Sequence, residues 1–224
     1  MCVLAIDTCA NMCSAAVFSA DGAVLGHECE DLGRGHAEKL NDSVALALKA
    51  AHRTFADIER IITTVGPGSF TGIRVGVAAA RGYGLALNAS VEGITTFALL
   101  AAEVTAADAS ADDVMIALAG GRGQLFCQSF RSGEAVSDPH VIDLPSQAKP
   151  VFDEATSLIG NGAKLIDPYG THRHLLVDRA TGDLRYAFDA ADRATVAPQP
   201  LYLRAADAKP QTGFALPRAG TAQS

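Results

Sequence analysis

Val3-Leu4-Ala5-Ile6-Asp7-Thr8, followed closely by Cys13-Ser14-Ala15-Ala16-Val17-Phe18, is the stretch on which the architecture of this chain turns. The first run reads as a short buried strand ending at Asp7-Thr8, and the second as a strand of small and apolar residues. Ser19-Ala20-Asp21-Gly22 then supplies a tight turn through its Asp-Gly pair, and a third strand follows from Ala23 to about Glu28. Three antiparallel strands are therefore predicted to open the fold.

Beyond the flexible Gly33-Arg34-Gly35, a helix is predicted from about His36 to His52, with Leu40, Val44, Leu48 and Ala51 spaced for one apolar face. A strand over Ile61–Val65 leads into Gly66-Pro67-Gly68-Ser69-Phe70-Thr71-Gly72, which joins it to a second helix from about Thr71 to Leu87. Glycines there allow positive φ and close backbone approach, and the amides of a helix N-terminus attract anions. A phosphate-binding history is plausible for Gly66, Pro67, Gly68 and Ser69, together with Asp7 and Thr8 as a cation and phosphate pair. The spacing is not a Walker loop, because no Lys-Ser or Lys-Thr follows the second glycine, and a tight strand-to-helix turn accounts for the same residues.

The second helix breaks a local rule. Gly72, Gly76, Gly82 and Gly84 each cost about 1 kcal/mol relative to Ala in a helix interior. Gly72, Gly76, Ala80 and Gly84 recur every four residues and make a nearly bare groove along one face, able to take another helix at close range. That helix is the first helix of the same chain, one from a partner, or both at once. A strand over Ser90–Ile94 and a helix opened by Thr95-Thr96 and running to about Ala107 follow. The Ala- and Asp-rich segment 106–113 marks a lobe boundary. A hairpin of Val114–Ala119, a Gly120-Gly121-Arg122-Gly123 turn and Gln124–Phe130 lies beyond it. Short pieces at Ser157–Ala163 and Leu175–Val177 carry little signal. The division expected is residues 1–105, 106–207 and a loosely ordered tail 208–224.

Bulk properties narrow the function. With 224 residues, 49% hydrophobic and 19% charged, the chain is an ordinary globular protein. A net charge of −7 argues against this chain alone presenting the cationic surface that grips an RNA backbone. Five cysteines without paired spacing read as reduced thiols in a cytosolic protein. Cys2, Cys9, Cys13 and Cys29 are expected as small core residues on strands rather than a metal site. No apolar run approaches membrane-spanning length, so a soluble cytoplasmic protein is expected. His36 beside Glu38 could suggest acid–base work, although Glu38 also suits the dipole of a helix start. His172 and His174 could share one side of a strand, yet no third ligand is spaced nearby and a solvated loop is preferred.

Ala5-Ile6-Asp7-Thr8, Gly35-His36-Ala37-Glu38-Lys39-Leu40, Gly66 to Gly72 with Ile73-Arg74-Val75-Gly76, and Pro200-Leu201-Tyr202-Leu203-Arg204 with Asp207-Ala208-Lys209-Pro210-Gln211 resemble the TsaB (YeaZ) family. The Asp-Thr opening alone is shared by the wider actin, Hsp70 and sugar-kinase fold. The resemblance implies an α/β protein of two lobes with actin/Hsp70/sugar-kinase-like (RNase H-like) topology, mixed sheets flanked by helices, and a reduced second lobe. It also implies a non-catalytic scaffold for TsaD, a paralogue that transfers threonylcarbamoyl to adenosine 37 of tRNA, with the ATPase TsaE as a third member. tRNA would be met only through the complex, no cofactor is expected, and a homodimer through similar helices is possible. The partner surface implied is His36, Leu40, Val44 and Leu48 with Gly72, Gly76, Ala80 and Gly84. TsaD-type chains carry two metal-binding histidines where this chain has Thr96 and Leu100, which cannot replace them. Where the family has Asp-Ala-Arg in the second hairpin, this chain has Ala119-Gly120-Gly121, one carboxylate fewer. A phosphotransferase or ATPase of the sugar-kinase type is the alternative, and a peptidase has no defensible triad here.

Overall fold

The computed structural model describes residues 2–108, 110–144, 156–168, 171–176 and 178–204. The first sheet contains β1 (Cys2–Asp7), β2 (Met12–Phe18), β3 (Val24–Asp31), β4 (Ile58–Thr64) and β5 (Ser90–Ile94), in the order β3-β2-β1-β4-β5. β1, β2 and β3 pair antiparallel, as the opening residues predict, while β4 and β5 run parallel to β1. Parallel neighbours need a crossover, and α1 (His36–Ala50) and α2 (Phe70–Leu87) provide the two. Every residue of β1 is buried because helices cover both faces of the sheet there. β3 lies at an edge and ends in exposed Glu30 and Asp31, charges that guard an unpaired strand.

α1 and α2 share one face of this sheet, where Leu40, Val44, Leu48 and Ala80 join Leu4, Ile6 and Ile61 in one core. α3 (Thr96–Ala107) and α5 (Ala187–Arg193) cover the other face. The second sheet contains β6 (Asp113–Gly121), β7 (Gln124–Arg131), β8 (Glu134–Ala135), β9 (His140–Asp143), β10 (Ser157–Ile159) and β11 (His174–Leu175). Its order is β11-β10-β6-β7-β8, with β9 also on β7. α3 is buried nearly all round because Leu99 and Ala102 face the first sheet while Phe97, Leu100 and Val104 face the second. α4 (Ala163–Ile166) closes the far side of the second sheet.

Two mixed sheets with helices on their faces are the class that the sequence predicts. The boundaries shift: β3 runs on to Asp31, α1 stops at Ala50, β4 starts at Ile58 and α2 at Phe70. α5 is an addition. Its inward residues are only Ala187, Ala190 and Ala191, too weak an apolar stripe to stand out in the sequence. With it the chain returns to the first sheet, where Val196 and Gly93 exchange backbone hydrogen bonds of 2.8 and 2.9 Å and the Leu201 amide donates to Val65 O at 2.8 Å. The tail 208–224 and Val177 lie outside the described residues.

Candidate functional site

At the end of β1, Asp7 is 1% exposed and both its oxygens are engaged within the chain. The Cys9 amide donates to Oδ1 at 2.8 Å, the Thr64 hydroxyl also donates to Oδ1, and the Thr181 hydroxyl donates to Oδ2 at 2.7 Å. The glycine loop packs straight onto this turn. The Ser69 amide donates to Cys9 O at 2.6 Å, and Thr8 Oγ1 donates to Gly72 O at 2.7 Å. A Cβ on Gly68 would lie 2.2 Å from Cys9 O and one on Gly72 1.9 Å from Thr8 O, so glycine is required for backbone to meet backbone. Gly66 has φ 105° and accepts from the Thr96 amide at 2.8 Å, while Thr96 Oγ1 donates to Pro67 O at 2.9 Å. The structure thus brings Asp7, Thr8 and Gly66 to Ser69 together, as the sequence suggests, and fills the loop with the chain's own groups.

A cleft of about 570 Å³ opens between the sheets beside this turn. Ser14, His27 and Cys29 line it from the first sheet, placed there by the alternation of β2 and β3, and Phe126 of the second sheet and Asn161 after β10 also line it. The sequence reading passed over His27, although its two-residue spacing from Cys29 on a strand puts both on one face. His27 Nε2 is buried with no hydrogen-bond partner, and burial lowers the His27 pKa. Cys29 is exposed, which corrects its assignment to the core; Cys2, Cys9, Cys13 and Cys127 are buried.

The other histidine candidates resolve differently. His36 is buried in the first turn of α1 with Nε2 unpartnered, whereas Glu38 is exposed, and among the described residues no hydrogen bond joins the two. His172 and His174 do share a side, and their third group is Asp167, 3.3 Å from His172 Nδ1 and 3.2 Å from His174 Nε2. Their side chains are only 18% and 16% exposed, so this is a packed clasp rather than a solvated loop. Among the described residues, no group of three or more His, Cys, Asp or Glu is arranged to hold a metal ion. Thr96 and Leu100 are both fully buried.

The helix pair corrects the sequence reading of the partner surface. His36, Leu40, Val44 and Leu48 face inward from α1, and Gly72, Gly76, Ala80 and Gly84 face inward from α2. Ala80 of the groove shares a core with Leu40, Val44 and Leu48 of α1, and the glycines lie over the strands. The groove sits on its own sheet, with a Gly76 Cβ position 2.7 Å from Thr8 Oγ1 and a Gly84 Cβ position 2.3 Å from Val91 Cγ2. The glycines let α2 settle onto β1, β4 and β5 at close range. Gly82 is the exception, exposed and with nothing within 4 Å of its Cβ position.

The opposite face of α2 is the open one. Leu85 is 89% exposed and Phe70 50%, with Arg74, Ala78, Arg81 and Gly82 also exposed between them. Leu46 of the neighbouring α1 is 49% exposed. The sequence signal for this face is a second helical series, Phe70, Arg74, Ala78, Arg81 and Leu85, spaced by three and four residues.

Residues 26–166 match the family model described as TsaD, tRNA N6-adenosine threonylcarbamoyltransferase, which is more than half of the chain. The tRNA threonylcarbamoyladenosine biosynthesis protein TsaB of Escherichia coli is 35% identical over 101 residues, covering 45% of this chain and 43% of that protein. An uncharacterised protein of Mycobacterium leprae is 30% identical over 226 residues, covering 94% of this chain and 56% of that one. The chain spans about half the length of the curated relatives it matches. Among solved structures, a Pseudomonas aeruginosa protein described as similar to the peptidase YeaZ superposes with a TM-score of 0.76 at 23% identity. The match covers 91% of this chain and 99% of that one, a likeness of fold. The chain belongs to the family of the TsaD model, within its TsaB (YeaZ) branch.

Proposed function

We propose that this chain is a non-catalytic subunit that supports a TsaD-type catalytic partner in making threonylcarbamoyladenosine in tRNA. The observation that carries the proposal is the outward face of α2, where Leu85 stands 89% exposed beside Ala78 and Gly82. An apolar helix face that its own fold leaves bare fits a second helix docked from outside. Gly82 supports the same reading: it weakens the helix by about 1 kcal/mol, and among the described residues no group uses the space it leaves.

The engaged carboxylate of Asp7 and the Ser69 amide bonded to Cys9 support the absence of catalysis, since the groups a phosphotransferase would aim at a cation and a phosphate already serve the fold. A TsaE-type ATPase and tRNA would join through the assembled complex, in keeping with a net charge of −7.

The test is rescue of a depleted cell, with threonylcarbamoyladenosine quantified in digested tRNA. The wild-type chain restores the nucleoside, and Leu85→Asp, folded by its circular-dichroism melt, leaves it depleted and does not co-purify with the TsaD-type subunit. Full rescue by Leu85→Asp, or ATP turnover by the isolated chain, overturns the proposal.

A further inference from the structure

The chain crosses between its two sheets in more than one place, and the crossings differ in burial. One is the loop 179–182. The Asn161 amide beyond β10 donates to Arg179 O at 2.9 Å, the Thr181 hydroxyl reaches Asp7, and Thr181 and Gly182 are buried. A Cβ on Gly182 would lie 2.9 Å from the Leu99 carbonyl carbon, so this crossing packs backbone to backbone on α3. Another is the segment 201–204, which lies nearer the surface, with Tyr202 43% exposed.

Each residue of that segment has its own fastening. The Leu201 amide donates to Val65 O at 2.8 Å, and its side chain packs with Cys9, Val65, Ile73 and Val77. Tyr202 Oη accepts from Arg74 Nε at 2.7 Å, and its ring lies 5.2 Å from that of Phe70 at the start of α2. Leu203 packs against the core that holds Phe97, Ile116 and Phe130. Arg204 then donates through Nη2 to the Gly120 and Gly121 carbonyls at 3.0 and 3.2 Å, and through Nε to Gln124 Oε1 at 2.9 Å. Those carbonyls sit where the pairing of β6 with β7 slips between Ala119 and Gly121. Such a bulge leaves backbone groups outside the ladder, and a guanidinium fork can serve two acceptors at once. Both fastenings adjoin the cleft: Pro67, Gly68 and Ser69, just past Val65, line it, and so do Gly120 and Gly121.

We propose that residues 201–204 form a latch across the cleft, which holds the glycine loop and the β6–β7 turn at one separation. The buried loop 179–182 and α3 are the hinge about which the two sheets part when the latch lets go. The inference is independent of the partner reading above. Its physical basis is the contrast in burial, since segments with few buried contacts open at low free energy and packed ones open only with the whole fold. Arg204 is the decisive residue, because it reaches acceptors of the second sheet from a backbone tied at Leu201 to the end of the first. Its bonds go to neutral acceptors at a partly exposed site, where water can replace it, as a reversible fastening requires.

The experiment is a pulsed electron-spin distance measurement on the full chain, with hydrogen exchange beside it. One label is placed on the exposed Cys29 of β3 and the other on Glu134→Cys in β8. Wild type is expected to give one narrow distance. Arg204→Ala is expected to add a displaced population and to speed amide exchange across the β6–β7 turn at least about fivefold, with β1 as slow as in wild type. Arg204→Lys, which cannot fork between two carbonyls, is expected to fall between the two. Tyr202→Ala, which frees the fastening at α2, is expected to displace the distance in the same direction. A folded Arg204→Ala with wild-type distances and exchange overturns the proposal. Faster exchange in β1 and the turn alike, the mark of general destabilisation, also overturns it. Should Arg204→Ala fail to fold, the other two variants decide: wild-type distances in both overturn the latch, and a shared displacement supports it.

Discussion

Thr181 donates its hydroxyl to Asp7 Oδ2 at 2.7 Å across 174 positions of sequence, and both residues are buried. This bond fastens the loop that leads into α5 to the end of the central strand, beside the cleft between the two sheets. Loss of a hydrogen bond to a buried carboxylate costs about 1.5–3 kcal/mol. Thr181→Val is expected to lower the urea-unfolding free energy by that amount. Mg-ATP is expected to leave the melting temperature of wild type unchanged, because Asp7 already serves the fold.

Two glycines of α2 are expected to respond in opposite directions to one methyl group. Gly72→Ala places a Cβ 1.9 Å from Thr8 O and should destabilise the protein by about 1–3 kcal/mol despite its better helix propensity. Gly82→Ala meets nothing within 4 Å and should stabilise by about 1 kcal/mol. Chemical denaturation of both variants checks the pair, and equal signs would show that the groove is not set against the sheet as described.

The clasp at Asp167 carries a pH dependence. Burial by itself raises this carboxyl, but the backbone and side-chain hydrogen bonds from His172 and Thr171 outweigh it and hold the pKa well below the usual carboxylate range. A carboxyl whose folded value is depressed adds stability above its unfolded value and loses it as pH falls toward the folded one. Thermal melts should therefore show a loss of stability beginning below about pH 4, the unfolded aspartate value. Asp167→Asn should be less stable at neutral pH and should lose this part of the acid dependence.

Thiol labelling should separate Cys29 from the other four cysteines. Burial pushes Cys127 up to about 12 and Cys9 well above its ordinary value, while Cys29 is exposed at the cleft. A disulfide reagent at pH 8 is expected to titrate one thiol rapidly and the remainder only on unfolding. Cys29→Ser should abolish the fast phase.

The opening strands were legible because β1 and β2 are continuous apolar runs closed by an Asp-Gly turn, a local pattern that needs no knowledge of distant residues. The glycine loop was legible for the same reason: Gly66, Gly68 and Gly72 sit where a strand passes into a helix. The face of α2 was not. Periodicity shows that Gly72, Gly76, Ala80 and Gly84 align, yet four small residues in line fit a sheet below as well as a helix outside. His172, His174 and Asp167 were likewise separable only in space, because the carboxylate comes from the end of α4.

By itself, the sequence determined the order of elements from β1 through β7, the three-strand opening and the family motifs, all of which depend on neighbours within a few positions. Only the tertiary structure decided that the glycine ridge is filled by β1, β4 and β5 and that Leu85, Arg74 and Arg81 are the residues left outside. The reason is physical: which side of a helix faces inward depends on the surface it packs against, and under α2 that surface joins its neighbours β4 and β5 to β1 from the start of the chain.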